Sequence, residues 1–297
     1  MKITELSQIA PKRVPVPEAA YRSRYIDVDG MRTHYIEAGE GPTLVLLHSG
    51  EFGGCAELSW EYLIPLLAPH YRVIAPDWLG FGKTAKVHDF ESKSARMFKH
   101  LVRFCELMAI DSAHFAGNSM GGSYLVKLAA ERPCRLPLAS VTAISGGGFA
   151  PDNEHRRSLL AYDGTEAGMV NIMKAIFENP VWWEDEEYIA RRVEISLMPG
   201  SWEAVAAARF RSPKAPVRSE FGAPDVTPYE NIAVPTLLIG GEKDRLRLPG
   251  YAAGMVARIP DARLEMLADA GHCPNIENAE EVAALMLPFL KDVANGA

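Results

Sequence analysis

A serine hydroxyl becomes a nucleophile only when a neighbouring base takes its proton, and the serine must stand clear of its own backbone to be attacked from. Gly117-Asn118-Ser119-Met120-Gly121-Gly122 has the spacing for this. It follows an apolar run at 113–117, which reads as a buried strand, and it leads into a helix from Met120 that must end before Pro133. Side chains at 117 or 121 would collide with adjacent backbone in so tight a turn, which accounts for the glycines. The helix N-terminus beside Ser119 favours developing negative charge.

The base must come from elsewhere in the chain. Of eight histidines, His272 in Ala270-Gly271-His272 lies just beyond a predicted strand at 263–267, at the same sheet edge as Ser119. His34 and His114 fall in strands and His100 in a helix. His70, His88 and His155 sit in polar or loop-like contexts, and His48, at a strand end, suggests a structural role. Asp244 follows the predicted strand 236–239 and precedes the histidine, with Glu242 and Asp269 as rival acids. Acyl-type chemistry also needs donors for an oxyanion. The Met120 N–H supplies one. The second is assigned to Gly50, with Ser49 as its neighbouring possibility, in the loop Ser49-Gly50-Glu51-Phe52-Gly53-Gly54.

The elements that position these groups alternate. Two short strands at 24–29 and 33–37 flank an Asp29-Gly30 turn, and Thr43-Leu44-Val45-Leu46-Leu47-His48 suits a strand buried on both faces. Helices are predicted at 58–67 and 94–108, with strands at 72–75 and 140–145, which implies a mostly parallel sheet flanked by helices. After Gly146-Gly147-Gly148 the rhythm changes. Met169, Ile172, Met173 and Ile176 mark one helical face, with Asp163 and Glu166 as a capping pair. Ile189, Val193 and Leu197 mark a second helix, 202–210 a third, and a Pro/Gly-rich exit spans 212–228. Helices at 250–259 and 279–290 complete the pattern. The expected organisation is a sheet domain over 1–148 and 229–297, interrupted by a helical cap over 149–228.

Composition adds exclusions. The 297 residues carry a net charge of −7, with no Lys/Arg block and no apolar stretch near the roughly 20 residues of a membrane span, so neither nucleic acid nor membrane is an expected partner. Residues 1–20 hold an extended proline-containing arm without a signal-type apolar core, and Cys55, Cys105, Cys134 and Cys273 lack paired spacing; both read as a cytoplasmic protein. Gly80-Phe81-Gly82-Lys83-Thr84 resembles the end of a phosphate-binding loop, but Asp77 stands where its first glycine should be. No metal-ligand cluster and no cofactor are implied. Trp182 and Trp183 read as packing residues within the cap.

Over roughly residues 20 to 293 the chain resembles the α/β-hydrolase fold with a helical cap, whose sheet has eight mostly parallel strands. HSGEFGG, APDWLGFGKT, GNSMGG, GGEKD and AGH stand where that family places such segments. GNSMGG is similar to the serine turn of the meta-cleavage product hydrolases, which split a carbon–carbon bond in vinylogous 1,5-diketones formed by ring-opening of catechols. The resemblance implies that Ser119, Asp244 and His272 are catalytic and that the substrate is a small molecule. It also implies that Asn118 helps bind the substrate's polar end and that a cap arginine, Arg192 or its neighbour Arg191, holds the oxo/carboxylate head; a homodimer is compatible with it. Two departures touch the pocket: the family's HGxGPG-type loop is here His48-Ser49-Gly50-Glu51-Phe52, and its Trp after the catalytic histidine is Cys273. A carboxylesterase or lactonase using the same triad is the alternative reading, and a non-catalytic ligand receptor is a further one. An acid-nucleophile dehalogenase or epoxide hydrolase would need a carboxylate at 119.

Overall fold

The computed structural model describes residues 21–207 and 221–296. Asp29 and Gly30, both at positive φ, close a hairpin between β1 (Arg22–Val28) and β2 (Met31–Ala38). Six further strands follow: β3 (Thr43–Leu47), β4 (Arg72–Pro76), β5 (Ala113–Asn118), β6 (Leu138–Ile144), β7 (Thr236–Gly241) and β8 (Ala262–Leu267). They form one sheet in the order β1-β2-β4-β3-β5-β6-β7-β8, and only β2 runs against its neighbours. The chain steps outward from β3 to β4 and then returns across β3 to β5. The loops after β3 and β5 therefore open a crevice at the carboxyl edge, where a parallel sheet characteristically binds ligands.

Helices cover both faces. On one side, α3 (Lys93–Leu107) and α4 (Met120–Ala129) bury Met97, Leu101, Phe104, Leu125 and Leu128 against Val45, Phe115 and Val141. On the other, α1 (Ala56–Trp60), α2 (Ile64–Leu67) and α12 (Ala279–Gly296) bury Trp60, Ile64, Val282, Met286 and Phe289 against Leu44, Leu46 and Ile239. Alternating strand residues thus serve both cores, which explains the continuous apolar strand sequences.

Between β6 and β7 the helical insert contains α5 (Glu154–Leu160), α6 (Glu166–Ile176), α7 (Val181–Glu184), α8 (Glu186–Ser196) and α9 (Ser201–Ala206). Met169, Ile172, Met173 and Ile176 pack onto Phe52, Leu58, Cys273 and Ile276 from the sheet's carboxyl-edge loops. Trp182 stacks on Phe177 and meets Tyr188 and Tyr62 edge-on, a packing role.

Several local expectations need correction. The single helix expected at 58–67 is two, with Pro65 in the first turn of α2, where its missing N–H costs nothing. Thr165, not Asp163, caps α6; its hydroxyl accepts from Gly168 N at 3.0 Å, while Asp163 braces Thr165. The helix expected at 250–259 shortens to α10 (Ala253–Val256), and α12 continues past Leu290. The third cap helix is seen as α9, whose expected continuation, like the arm at 9–17 and most of the exit at 212–228, lies outside the described residues.

Candidate active site

Ser119 joins β5 to α4 at φ 53° and ψ −111°, a backbone state that costs a non-glycine residue about 1–3 kcal/mol. Its N–H donates to Ile144 O at 2.8 Å, fixing the turn against β6. The neighbouring glycines are sterically required. A Cβ at 117 would lie 2.5 Å from the Gly121 carbonyl carbon, and one at 121 would overlap the Leu47 carbonyl oxygen.

The structure brings Ser119, His272 and Asp244 together from three strand ends. Ser119 Oγ lies 2.6 Å from His272 Nε2, and His272 Nδ1 lies 2.7 Å from Asp244 Oδ2. The Asp244 Oδ1 accepts from Leu246 N at 2.8 Å, so both carboxylate oxygens are engaged. Burial pushes the Asp244 carboxyl up, but the adjoining His272 and the nearby Arg247 hold it below the ordinary aspartate value. The rival acids stay outside: Glu242 is exposed, and Asp269 is exposed beside Lys243 at 2.9 Å.

The loop after β3 lies directly across from the turn. A Cβ on Gly50 would run into the Met120 side chain, so the residues assigned to the two oxyanion donors abut. The Met120 N–H opens α4 and has no partner within the helix. His48, expected to be structural, is buried, and both its ring nitrogens are engaged by backbone. Its Nδ1 donates to Ser49 O at 2.6 Å and its Nε2 accepts from Trp78 N at 2.9 Å, which fixes the tautomer and clamps this loop to the one after β4.

A serine–histidine–aspartate relay at the switch point of an eight-stranded sheet narrows the family, and comparison with known proteins decides it. The alpha/beta hydrolase family model matches residues 44–285. The chain belongs to that family. This hydrolase is 34% identical over 275 residues, 92% of each chain, to 2-hydroxy-6-oxo-6-(2'-aminophenyl)hexa-2,4-dienoic acid hydrolase of Metapseudomonas resinovorans. It is 30% identical to 2-hydroxy-6-oxo-6-phenylhexa-2,4-dienoate hydrolase of Comamonas testosteroni, covering 89% of this chain and 93% of that one. Among solved structures it resembles a serine hydrolase involved in carbazole degradation, with a TM-score of 0.74 and 29% identity over 92% of this chain and 99% of the other.

Around the relay, the hydrolase arranges the remaining expected residues in distinct ways. Asn118 Nδ2 donates to Ile144 O at 3.2 Å and to His272 O at 3.1 Å, and its Oδ1 accepts from the Cys273 thiol at 3.6 Å. Its side chain thus ties β6 to the histidine loop. Burial pushes the Cys273 thiol far above its usual range, so it lines the site as an uncharged group. Arg191 turns outward to Glu61, with Nη2 at 2.6 Å. Arg192 turns inward, is 1% exposed, and pairs with Glu51 at 2.5 Å. The Glu51 partnership was missed from sequence. An acid inside a glycine-rich loop was its one visible signal.

Glu277 was also missed. It lies in α11 (Pro274–Glu277), and its carboxylate accepts from Glu178 N at 2.7 Å, Asn179 N at 3.0 Å and Gly271 N at 3.0 Å. His272 N donates to Ile176 O at 2.8 Å in the same junction, and Arg245 Nη1 donates to Phe177 O at 2.7 Å. The end of α6 is therefore bonded to the loops that carry both the acid and the base. A glutamine at 277 offers one oxygen to three amides, so Glu277→Gln should lower stability by about 1–3 kcal/mol in urea denaturation. An unchanged midpoint would show the junction to be energetically idle.

Proposed function

We propose that this hydrolase cleaves a carbon–carbon bond in a vinylogous 1,5-diketone of the meta-cleavage type, with Ser119 as nucleophile, His272 as base and Asp244 as its orienting acid. The observation that carries the proposal is the continuous Ser119–His272–Asp244 hydrogen-bond relay, with Met120 and Gly50 packed together beside it. The activities named for the relatives of 34% and 30% identity support the substrate class.

In this reading His272 first moves a proton along the dienol, giving the ketone that makes the bond breakable. It then takes the Ser119 proton as Oγ attacks the distal carbonyl, and the Met120 and Gly50 N–H groups receive the oxyanion. Collapse breaks the carbon–carbon bond. The departing carbon fragment leaves as a delocalised dienolate and takes the proton held by His272. Water, activated by the same histidine, then releases the acid from Ser119, so one water is consumed per bond cleaved. The free cysteines at 55, 105, 134 and 273 support a cytoplasmic setting.

The test is a pair of substrates, 2-hydroxy-6-oxo-6-phenylhexa-2,4-dienoate, followed by loss of its colour, and p-nitrophenyl acetate. The dienoate should show a kcat/KM at least about 100-fold higher, because its remote groups contribute binding that the small ester lacks. If the ester is the better substrate, ester or lactone hydrolysis becomes the reading.

A further inference from the structure

A buried arginine ordinarily pairs with a carboxylate. Arg247 is 8% exposed, yet among the described residues its partners are all uncharged oxygens. Its Nε and Nη2 both donate to Ser145 O, at 3.1 and 2.8 Å. The Nη2 also reaches Ser123 Oγ at 3.3 Å, Nη1 donates to Phe149 O at 3.4 Å, and the Tyr251 ring lies 5.2 Å from the guanidinium.

These partners belong to the elements that carry the relay. Arg247 follows Asp244 in the loop after β7. Ser145 leaves β6 at φ 50°, a left-handed state that a non-glycine residue seldom adopts, and its neighbour Ile144 supplies the carbonyl that fixes Ser119 N. Ser123 lies in the first turn of α4, and its hydroxyl also accepts from Gly147 N at 2.9 Å. One guanidinium therefore bridges the acid's loop, the exit of β6 and the helix that Ser119 opens. From the opposite side, Arg156 of α5 donates to Leu246 O at 2.8 Å, while Leu246 N donates to Asp244 Oδ1. The charged and titratable groups around Asp244 are His272, Arg247, Arg156, Tyr251 and Cys273. Burial keeps the Tyr251 hydroxyl and the Cys273 thiol protonated. Arg156, lowered by burial and by Arg247 to about 10, stays charged at neutral pH.

We propose that Arg247 is a positioning residue for the reaction: it fastens the loop of Asp244 to the nucleophile helix and sets an unpaired positive charge beside the Asp244–His272 pair. The fastening acts on geometry, because a small displacement of the acid turns the histidine away from Ser119. The charge acts on protonation. A nearby cation makes it harder to add a proton to the pair, whichever member would hold it, so the relay stays ready for catalysis at lower pH. The inference rests on Ser119, His272 and Asp244 being the reacting groups, and it deepens that reading by naming what holds them in register.

The test is the pH profile of kcat/KM on 2-hydroxy-6-oxo-6-phenylhexa-2,4-dienoate, whose acid limb reports protonation of the free enzyme's base. Arg247→Met keeps the length of the side chain and removes its charge and its fork. Its acid limb should move up by at least about 0.5 pH unit, and kcat should fall about tenfold or more with KM changed less than about threefold. Arg247→Lys restores the charge alone, so the limb should return while kcat recovers only in part. An unmoved limb in Arg247→Met overturns the proposal, as does a shift that lysine does not reverse. A raised KM with unchanged kcat also overturns it, by making Arg247 a substrate contact. Should Arg247→Met fold poorly, Arg247→Gln, which keeps amide donors, must show the same upward shift. The carbon–carbon reading fails separately if the unsubstituted enzyme hydrolyses p-nitrophenyl acetate and leaves the dienoate intact; the profiles are then read on the ester. No Ser119-dependent turnover of either substrate overturns both.

Discussion

Asp244→Asn should lower kcat by about 10⁴-fold while leaving the fold intact, by analogy with the corresponding change in serine proteases. The carboxylate at 2.7 Å receives the His272 Nδ1 proton and leaves Nε2 bare to accept from Ser119 at 2.6 Å. An asparagine can present its amide hydrogens to Nδ1 while its oxygen keeps the Leu246 N–H. The histidine then carries its proton on Nε2, pointing at the hydroxyl it should deprotonate. Ser119→Ala should cost at least as much, and the double variant no more than Ser119→Ala alone, because members of one relay fail together. Steady-state kinetics on the dienoate read all three. A double variant whose loss equals the product of the single losses would mean that the residues act independently.

The largest stability effect is expected at Asp77, which takes no part in that chemistry. Its carboxylate is 1% exposed and accepts from Ala56 N, Lys83 N and His34 Nδ1, each at 2.7 Å. It thereby pins the start of α1, the loop after β4 and strand β2 to one another. Asp77→Ala strands two buried donors, Ala56 N and His34 Nδ1, and the half-buried Lys83 N. At about 1–3 kcal/mol for each buried donor and less for the third, unfolding should cost about 3–6 kcal/mol less, much of a typical domain's total. Chemical denaturation would measure it, and a loss below 1 kcal/mol would mean that solvent or repacking satisfies the donors. The pH dependence has a definite sign. For Asp77, burial raises the pKa, but the His34 contacts lead the opposing effects and leave it below the ordinary value, as they do for Asp244 with His272. Both residues therefore stabilise the fold above the unfolded aspartate value near 4. That contribution is lost as pH falls through their depressed folded values.

The same residue explains why Gly80-Phe81-Gly82-Lys83-Thr84 imitates a phosphate loop. The segment does wrap an anion, but the anion is the protein's own: a Cβ on Gly82 would overlap the Asp77 carboxylate, and Lys83 donates its amide to it. In the sequence, Asp77 read only as the residue that spoils the motif.

The relay was legible because each member carries a local mark, a glycine-bounded turn for Ser119, the end of an apolar strand for Asp244 and the loop just past the last strand for His272. Helix phase also carried information about the arginines. Tyr188, Ile189, Arg192 and Ser196 are buried along α8, and Arg191 falls off that stripe. What stayed hidden depends on distant partners. Nothing near Glu51 announces an arginine 141 residues away. The helix α5 escaped notice because Glu154-His155-Arg156-Arg157-Ser158-Leu159-Leu160 has no apolar period. Its buried member is Arg156, whose guanidinium donates to Pro151 O and Leu246 O and lies 4.5 Å from the Phe221 ring. Burial by hydrogen bonding leaves no hydrophobic rhythm to read.

The bond from His272 N to Ile176 O has a consequence for how the crevice can admit and release molecules. The histidine hangs from the same edge of the insert that roofs it, and Glu277 fastens that edge from below. Lifting residues 176–179 would swing the base out of line with Ser119, so this edge must stay still through a catalytic cycle. It is the hinge post of the structure. On the far side α8 is held by side chains instead, Arg191 to Glu61 and Arg192 to Glu51.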